Sequence, residues 1–405
     1  MLSTAQVARH LQVKTETVYA YVSRGILHPV KVPGERGSFF AEDEVRALTR
    51  PTGVRRARRA PGLSDDITTA ITQVTDERLT HRGHDVVTLA QGSYEEACAV
   101  LWQSELPTGA FSVPDSTAAA IRRTVAALPA GATPLDVMVA AVQVVQMLDA
   151  GRDDRAPAAV RQAGIRSITA ALVALGCPDE GDVASRVATQ LRGRPVRRGS
   201  RLHTLVRTAL VLLADHDMAL STTAARVCAS VRADPYAVLT TALCTLRSPQ
   251  HGRASIAATA LLADAMGDPQ GVLASVLAGT RLAHGFGHVV LTERDPRAEC
   301  LLALLEGRMP ARLSRAVDLL WDELWQRRGL FPNIDLALAA LIISEGLDHS
   351  AGETIFALAR MAGWTAHAME EYEAEPLRFR LRGVYTGPRS ADGQSGPGVD
   401  IDPAT

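Results

Sequence analysis

From residue 62 to about residue 387 the chain repeats one pattern: apolar residues at helical spacing, broken by Pro, Gly and Asp-rich turns. Ser116–Leu128, Pro134–Leu148, Ala158–Leu175, His203–Ala214 and Ala311–Arg327 all read as helices on this spacing. Strands and helices do not alternate, and no GxGxxG follows a strand, which argues against a Rossmann-type nucleotide domain. Aromatic residues make up only 4% of the chain, so the core is built mostly from Ala, Leu and Val, which favour helix at this spacing. With 405 residues and an apolar fraction of 47%, the chain can bury a large core and suits two or three domains. The expected class is all-α. Residues 388–405 are Gly, Ser, Pro and Asp with little to bury and are expected to form a disordered tail.

The first fifty residues differ. Residues 1–60 hold eleven Lys/Arg against five Asp/Glu, a charge of +6, whereas the remainder carries −7. Ser3 can cap a helix through Leu11 with Val7, Ala8 and Leu11 inward, and Thr15 can cap a second over Glu16–Ser23 with Val18 and Val22 inward. Leu27–Phe40, with Pro29, Pro33, Gly34 and Gly37 between β-favouring residues, reads as a hairpin or wing, and Ala41–Leu48 as a third short helix. The strings ETVYAYVSRGIL and RGSFFAEDEV resemble the winged helix-turn-helix modules of MerR-type and excisionase-type DNA-binding proteins. That resemblance covers residues 1–50 and implies nucleic acid as a partner, with Lys14, Thr15, Thr17, Tyr19 and Arg24 as candidates to face it. Residues 51–61, with Arg55, Arg56, Arg58 and Arg59 among Pro and Gly, read as a basic linker, either a solvated hinge or a tether touching phosphates.

Five scattered cysteines without a CxxC pair argue against disulfides or a zinc site. No apolar run is long enough to cross a bilayer, and no secretory signal opens the chain. The expected location is cytoplasmic.

Polar residues inside so apolar a body are the candidates for chemistry. His216 in LLADHDMAL, His251 in RSPQHGRAS and His288 in HGFGHVVLTERDPR each stand near an apolar run. Asp335 in FPNIDLALAAL has Leu and Ala following it, so desolvation should make its carboxylate a better proton acceptor. Asp215 and Asp217 flank His216, but neighbours on a helix point in different directions, and no metal site is expected there.

The strings RLTHRGHDV, LWQSELP, LADHDMALSTTAARV, DPYAVLTTAL, GFGHVVLTERDPRAE, PNIDLALAAL and FALARMAGWTAHAMEE, in this order, resemble landmarks of the citrate synthase family across residues 62–387. The resemblance implies large and small helical domains, the small one roughly 252–334, and a homodimer that condenses acetyl-CoA with oxaloacetate at the head of the tricarboxylic acid cycle. It implies no cofactor, acetyl-CoA being a substrate. By the same resemblance Asp335 takes the acetyl proton, His251 stabilises the enolate and His288 polarises the ketone. His216, Arg297 and Arg360 hold the oxaloacetate carboxylates, with Arg380 reaching across from the second subunit. Gly285, Gly287 and Arg294 are candidates to contact CoA.

Departures from the family pattern fall near these residues. Arg253 and Ser255 follow His251 where Gly and Asn are usual. Thr292 replaces an arginine that commonly meets CoA phosphates, His284 replaces a proline, and Leu336, Ala337 and Leu338 replace aromatic and small polar residues. These leave open propionyl-CoA as donor, with 2-methylcitrate as product. A second reading is a DNA-binding regulator whose synthase-like body senses a metabolite.

Overall fold

A computed structural model describes residues 2–10, 15–23, 27–30, 38–41, 45, 67–75, 78–248 and 251–379. The expected linker at 51–61, the tail at 388–405, and candidates Lys14, Arg24 and Arg380 lie outside the described residues.

The N-terminal module has its own core. Helices α1 (Thr4–His10) and α2 (Thr15–Ser23) pack together, and Val7, Ala8, Val18, Leu27, Phe40 and Val45 are buried as one cluster. Ser3 and Gln6 exchange the reciprocal hydrogen bonds of a capping box at the start of α1, as the Ser3 cap anticipated. Of the expected wing at 27–40, residues 31–37 lie outside the described residues; its two ends are joined by Val30 and Phe39, whose backbones bond in both directions, and β1 (Leu2–Ser3) pairs antiparallel with β2 (Phe39–Phe40). Of the expected third helix, Ala41 and Val45 are described, joined by a bond from Val45 N–H to Ala41 O.

The body opens with a small antiparallel sheet that the helical pattern did not announce: β3 (Thr72–Val74), β4 (Leu79–His81) and β5 (His84–Asp85) in that order. Arg82 and Gly83, at φ 50° and 83°, make the tight β4–β5 turn and set His81 opposite His84.

Helices follow as α3 (Val86–Leu89), α4 (Tyr94–Trp102), α5 (Asp115–Ala126), α6 (Pro134–Leu148) and α7 (Pro157–Ala174). Next come α8 (Val183–Arg192), α9 (Arg201–Leu212), α10 (Leu220–Ser230), α11 (Pro235–Leu246) and α12 (Ala254–Gly267). The last are α13 (Pro269–Leu277), α14 (Pro296–Leu305), α15 (Ala311–Arg328), α16 (Ile334–Glu345) and α17 (Ala351–Glu373). The five helices expected from spacing are present within two residues at each end. The class is all-α, with this small sheet in the body and the β1–β2 pair in the head among the described residues.

Helix α17 organises the body. Every residue from Ala351 to Met369 is buried, and it packs against α4, α6, α7, α9, α10, α11, α12 and α16. Its backbone is gripped from the side. Tyr94 donates its hydroxyl to Leu358 O (2.8 Å), and Trp102 donates Nε1–H to Ala362 O (2.9 Å). Where α7 crosses it, Gly164 makes room: a Cβ there would lie 2.6 Å from Thr365 Cγ2. A helix buried all round has no solvated face, so each polar group on it needs an internal partner.

Candidate active site

Loops after α9, α11 and α13, the first turns of α14 and α16 and one face of α17 carry the candidate residues. His216 lies after α9, in a turn rather than on a helix, which corrects the helical placement of the Asp215–Asp217 stretch. Helix α9 stops at Leu212 because the following residues bond sideways to α17: Arg360 Nε–H donates to Leu213 O (2.8 Å) and Gly363 N–H to Ala214 O (3.0 Å). Asp215 is wholly buried beneath this turn, and His216 is 5% exposed with Nε2 buried and unpartnered. Among the described residues no cluster of His, Cys, Asp and Glu has the arrangement of a metal site.

The loop that leads into His288 is laced to the segment that leads into Asp335. Gly287 N–H donates to Phe331 O (2.7 Å), Asn333 N–H to Gly285 O (2.9 Å), and Asn333 Nδ2–H to Gly287 O (2.8 Å). Gly285 and Gly287 have φ of 87° and 74°, and a Cβ on Gly285 would sit 3.0 Å from Leu336 Cβ, so this approach requires glycine. Asn333 caps α16 by accepting from Asp335 N–H, which fixes Asp335 in the first helical turn.

Within this frame His216 and His288 pack edge to face with centroids 4.9 Å apart. His288 Nδ1 accepts the backbone N–H groups of Val290 (3.0 Å) and Leu291 (3.2 Å), so its proton sits on Nε2. His251 Nε2 lies 2.8 Å from Ser221 Oγ, which leaves Nδ1 as the ring nitrogen without a side-chain partner among the described residues. The His251 ring stands edge-on to Phe356 at 5.8 Å, and the Arg360 guanidinium lies 4.6 Å from the same Phe356 centroid. Asp295 caps α14 and clamps Arg297 through both carboxylate oxygens (2.9 Å each), while its Oδ2 also accepts Ile334 N–H (3.0 Å).

The electrostatics are one-sided. Burial, reinforced by Arg360, lowers His251 to about 4. Burial and Arg297 do the same to His288, and push His216 well below its ordinary value. All three rings are neutral at pH 7. Burial lowers Arg360 to about 10, leaving it charged. Asp335 goes the other way: burial raises its carboxyl to about 6 against the pull of Arg297 and Arg360. Part of the residue remains accessible, but its Oδ1 is sealed from solvent and has no hydrogen-bond partner. The result is Arg360, an Arg297 paired with Asp295, three neutral hydrogen-bonding rings and one poised base, an arrangement suited to an anionic oxo acid beside a weak carbon acid.

The 318-residue stretch 65–382 matches the citrate synthase C-terminal domain family. This chain belongs to the citrate synthase family. Residues 1–50 of this citrate synthase family member match a helix-turn-helix domain. It is 30% identical to the 2-methylcitrate synthase of Shewanella oneidensis over 332 residues, covering 74% of this chain and 86% of that one. It is 27% identical to citrate synthase 2 of Bacillus subtilis over 361 residues, covering 79% and 93%. Its fold is that of Thermoplasma acidophilum citrate synthase, solved as a ternary complex with carboxymethyl coenzyme A and oxaloacetate. The TM-score is 0.68 at 24% identity, covering 80% of this chain and 95% of that one. A citrate synthase-type acyltransferase is therefore established.

The remaining candidates are less gathered. Arg294 is half-exposed and engaged by Glu299, at the rim of a roughly 250 Å³ cleft lined by Trp321, Trp325 and Phe331. Arg253 is exposed, and Ser255 Oγ is buried without a partner. In the head Thr15 is exposed, Tyr19 is 58% exposed and Thr17 is half-buried. Sequence reasoning missed Ser221 and a set of buried polar residues behind the site: Thr72, His81, Asp215, Arg226, His367 and Glu371. Apart from Asp215 beside His216, their only signal was being polar within apolar stretches.

Proposed function

We propose that the protein condenses acetyl-CoA with oxaloacetate, and that hydrolysis of the resulting thioester releases citrate and CoA. Asp335 carries this reading, as a carboxyl raised to about 6 with an unpartnered oxygen, felt by both Arg297 and Arg360. Asp335 takes a proton from the acetyl methyl group. His251, its Nε2 held by Ser221, donates from Nδ1 to the thioester oxygen, where the enolate charge develops. The enolate carbon attacks the ketone carbon, and His288 Nε2–H hydrogen-bonds and protonates the ketone oxygen. His216, Arg297, Arg360 and, by resemblance, Arg380 of the second subunit hold the oxaloacetate carboxylates. Neutral histidines and arginines supply the electrophilic help, so the reaction calls for neither metal nor cofactor. Movement of residues 252–334 over the body excludes water while the enolate exists.

Propionyl-CoA is the second donor to test, because a 30%-identical relative is a 2-methylcitrate synthase and Leu336, Ala337 and Leu338 depart from the family pattern. The experiment is CoA release, read with a thiol reagent, from purified protein given oxaloacetate and either donor. Release that needs both substrates supports the synthase, and the ratio of kcat/KM values selects the donor. No release from a folded protein with either donor would remove the reading.

A cytoplasmic homodimer is the form proposed. Leu220 and Val227 on α10 and Val231 at its C-terminal cap, 71%, 42% and 57% exposed, recur at helical spacing as an apolar stripe that a second copy would cover. The basic head, with Thr15 and Tyr19 exposed on α2, supports nucleic-acid binding; Lys14, Thr17 and Arg24 are the other proposed contacts, while Gly285, Gly287 and Arg294 remain proposed for CoA. Salt-dependent retention of duplex DNA that vanishes on deleting residues 1–60 would support the head's role.

A further inference from the structure

A line of buried polar groups runs behind the site through the apolar core. Thr72 on β3 donates its hydroxyl to Asp215 Oδ2 (2.5 Å). That hydroxyl has one proton, so the 3.0 Å contact between Thr72 Oγ1 and His81 Nδ1 is a donation from His81. On the other side His367 Nε2 lies 3.2 Å from the same Asp215 oxygen. Arg226 Nε–H donates to His367 Nδ1 (2.9 Å), which puts the His367 proton on Nε2, pointing at Asp215. Arg226 continues to Glu371 Oε2 (2.9 Å) and to Glu370, and Arg378 closes on Glu371 with bonds of 2.7 and 2.5 Å. His81, Asp215, His367 and Glu371 are fully enclosed, and Arg226 is 1% exposed.

The line meets the site at one place. Leu213, Ala214 and Asp215, in succession, bond to Arg360, Gly363 and His367 of α17, residues that share one face of that helix. The next residue is His216. Two of these three bonds use backbone carbonyls and would form with any sequence at 213 and 214. The third depends on the side chains of Asp215 and His367, with Thr72 bonding the same carboxylate from β3.

We infer that Asp215, His367 and Thr72 are positioning residues that set the depth and direction of His216, and hold Arg360 beside it, for the oxo acid. They do not touch substrate. The inference rests on His216 and Arg360 being oxaloacetate ligands. The ring of His367 is used as a two-ended link, receiving from Arg226 and giving to Asp215, and a glutamine amide offers the same pair of functions.

The test is steady-state kinetics of the full chain with oxaloacetate and acetyl-CoA, or propionyl-CoA if that is the better donor. The variants are His367→Leu, His367→Gln and Thr72→Val, with oxaloacetate binding measured by calorimetry. Loss of a hydrogen bond to a buried charge predicts a rise in the oxaloacetate KM of about tenfold or more for His367→Leu and Thr72→Val. The acyl-CoA KM should change by less than about twofold, and His367→Gln should recover most of the loss. Unchanged oxaloacetate KM in folded His367→Leu and Thr72→Val would overturn the inference. So would equal rises in both KM values, the mark of general loosening. Wild-type protein that neither binds nor turns over oxaloacetate removes the substrate reading and this inference together. Normal wild-type behaviour with indifferent variants removes only the inference.

Discussion

Asp335 combines two properties that a single substitution separates. Its carboxyl is raised to about 6 by burial, so the base form dominates at neutral pH, and kcat/KM should fall tenfold per pH unit below about 6. Asp335→Asn should lower turnover by about 10²–10⁴, read by CoA release. The same variant should be more stable than wild type at pH 7. A carboxyl whose pKa is raised on folding contributes stability below its unfolded value near 4 and loses it as pH rises through 6. The gain should be on the order of 2–3 kcal/mol in urea denaturation and shrink as the pH falls to 4. Arg297→Ala should act oppositely, stranding the buried Asp295 carboxylate at a cost of about 3–5 kcal/mol. His216, His288, Arg297, Asp335 and Arg360 were picked out in the sequence because each stands within a family landmark, and His251 because it is a polar residue between two of them. Thr72, His367 and Arg226 were not, because their meaning is a pairing between distant positions: Asp215 and His367 are 152 residues apart. Local spacing carries no trace of such a bond.

At the scale of elements, the long helices announced themselves through apolar spacing and through Pro, Asp and Gly at their ends. Pro134 and Pro157 occupy first turns, and Asp182, Asp234 and Asp295 are caps. The β3–β5 sheet did not, because strands of two or three residues are too short to show alternation, although Arg82–Gly83 was a readable turn signal. Its position matters, since β3 supplies Thr72 and β4 His81. Helix α17 tolerates no side chain at Gly363, where a Cβ would lie 2.3 Å from Asp215 Oδ1 and 2.5 Å from Ala214 O. Gly363→Ala should therefore push the 213–216 turn off the helix, costing about 1–3 kcal/mol in denaturant unfolding and raising the oxaloacetate KM.

On the scale of the whole molecule, the buried cluster of the head, from Val7 to Val45, shares no residue with that of the body, from Ile71 to Met369. Deleting residues 1–60 should leave kcat/KM within about twofold of the full chain, because the two clusters share no residue. For the homodimer proposed above, Val227→Glu on the exposed α10 stripe should give a monomer in sedimentation where the parent protein gives a dimer, and a parent protein that is itself monomeric would remove that proposal. The charge contrast between the two parts is plain in the sequence, because a basic head and an acidic body differ in composition. How α17 is threaded through eight other helices was not, because it depends on side-chain fit between distant segments. Two separate cores also mean two separate melting events. A calorimetric scan should show a small transition for the head beside the large one of the body, and a mutation that loosens the first should leave the second where it was. The two parts can then drift under selection independently, the head changing its surface while the body keeps its chemistry.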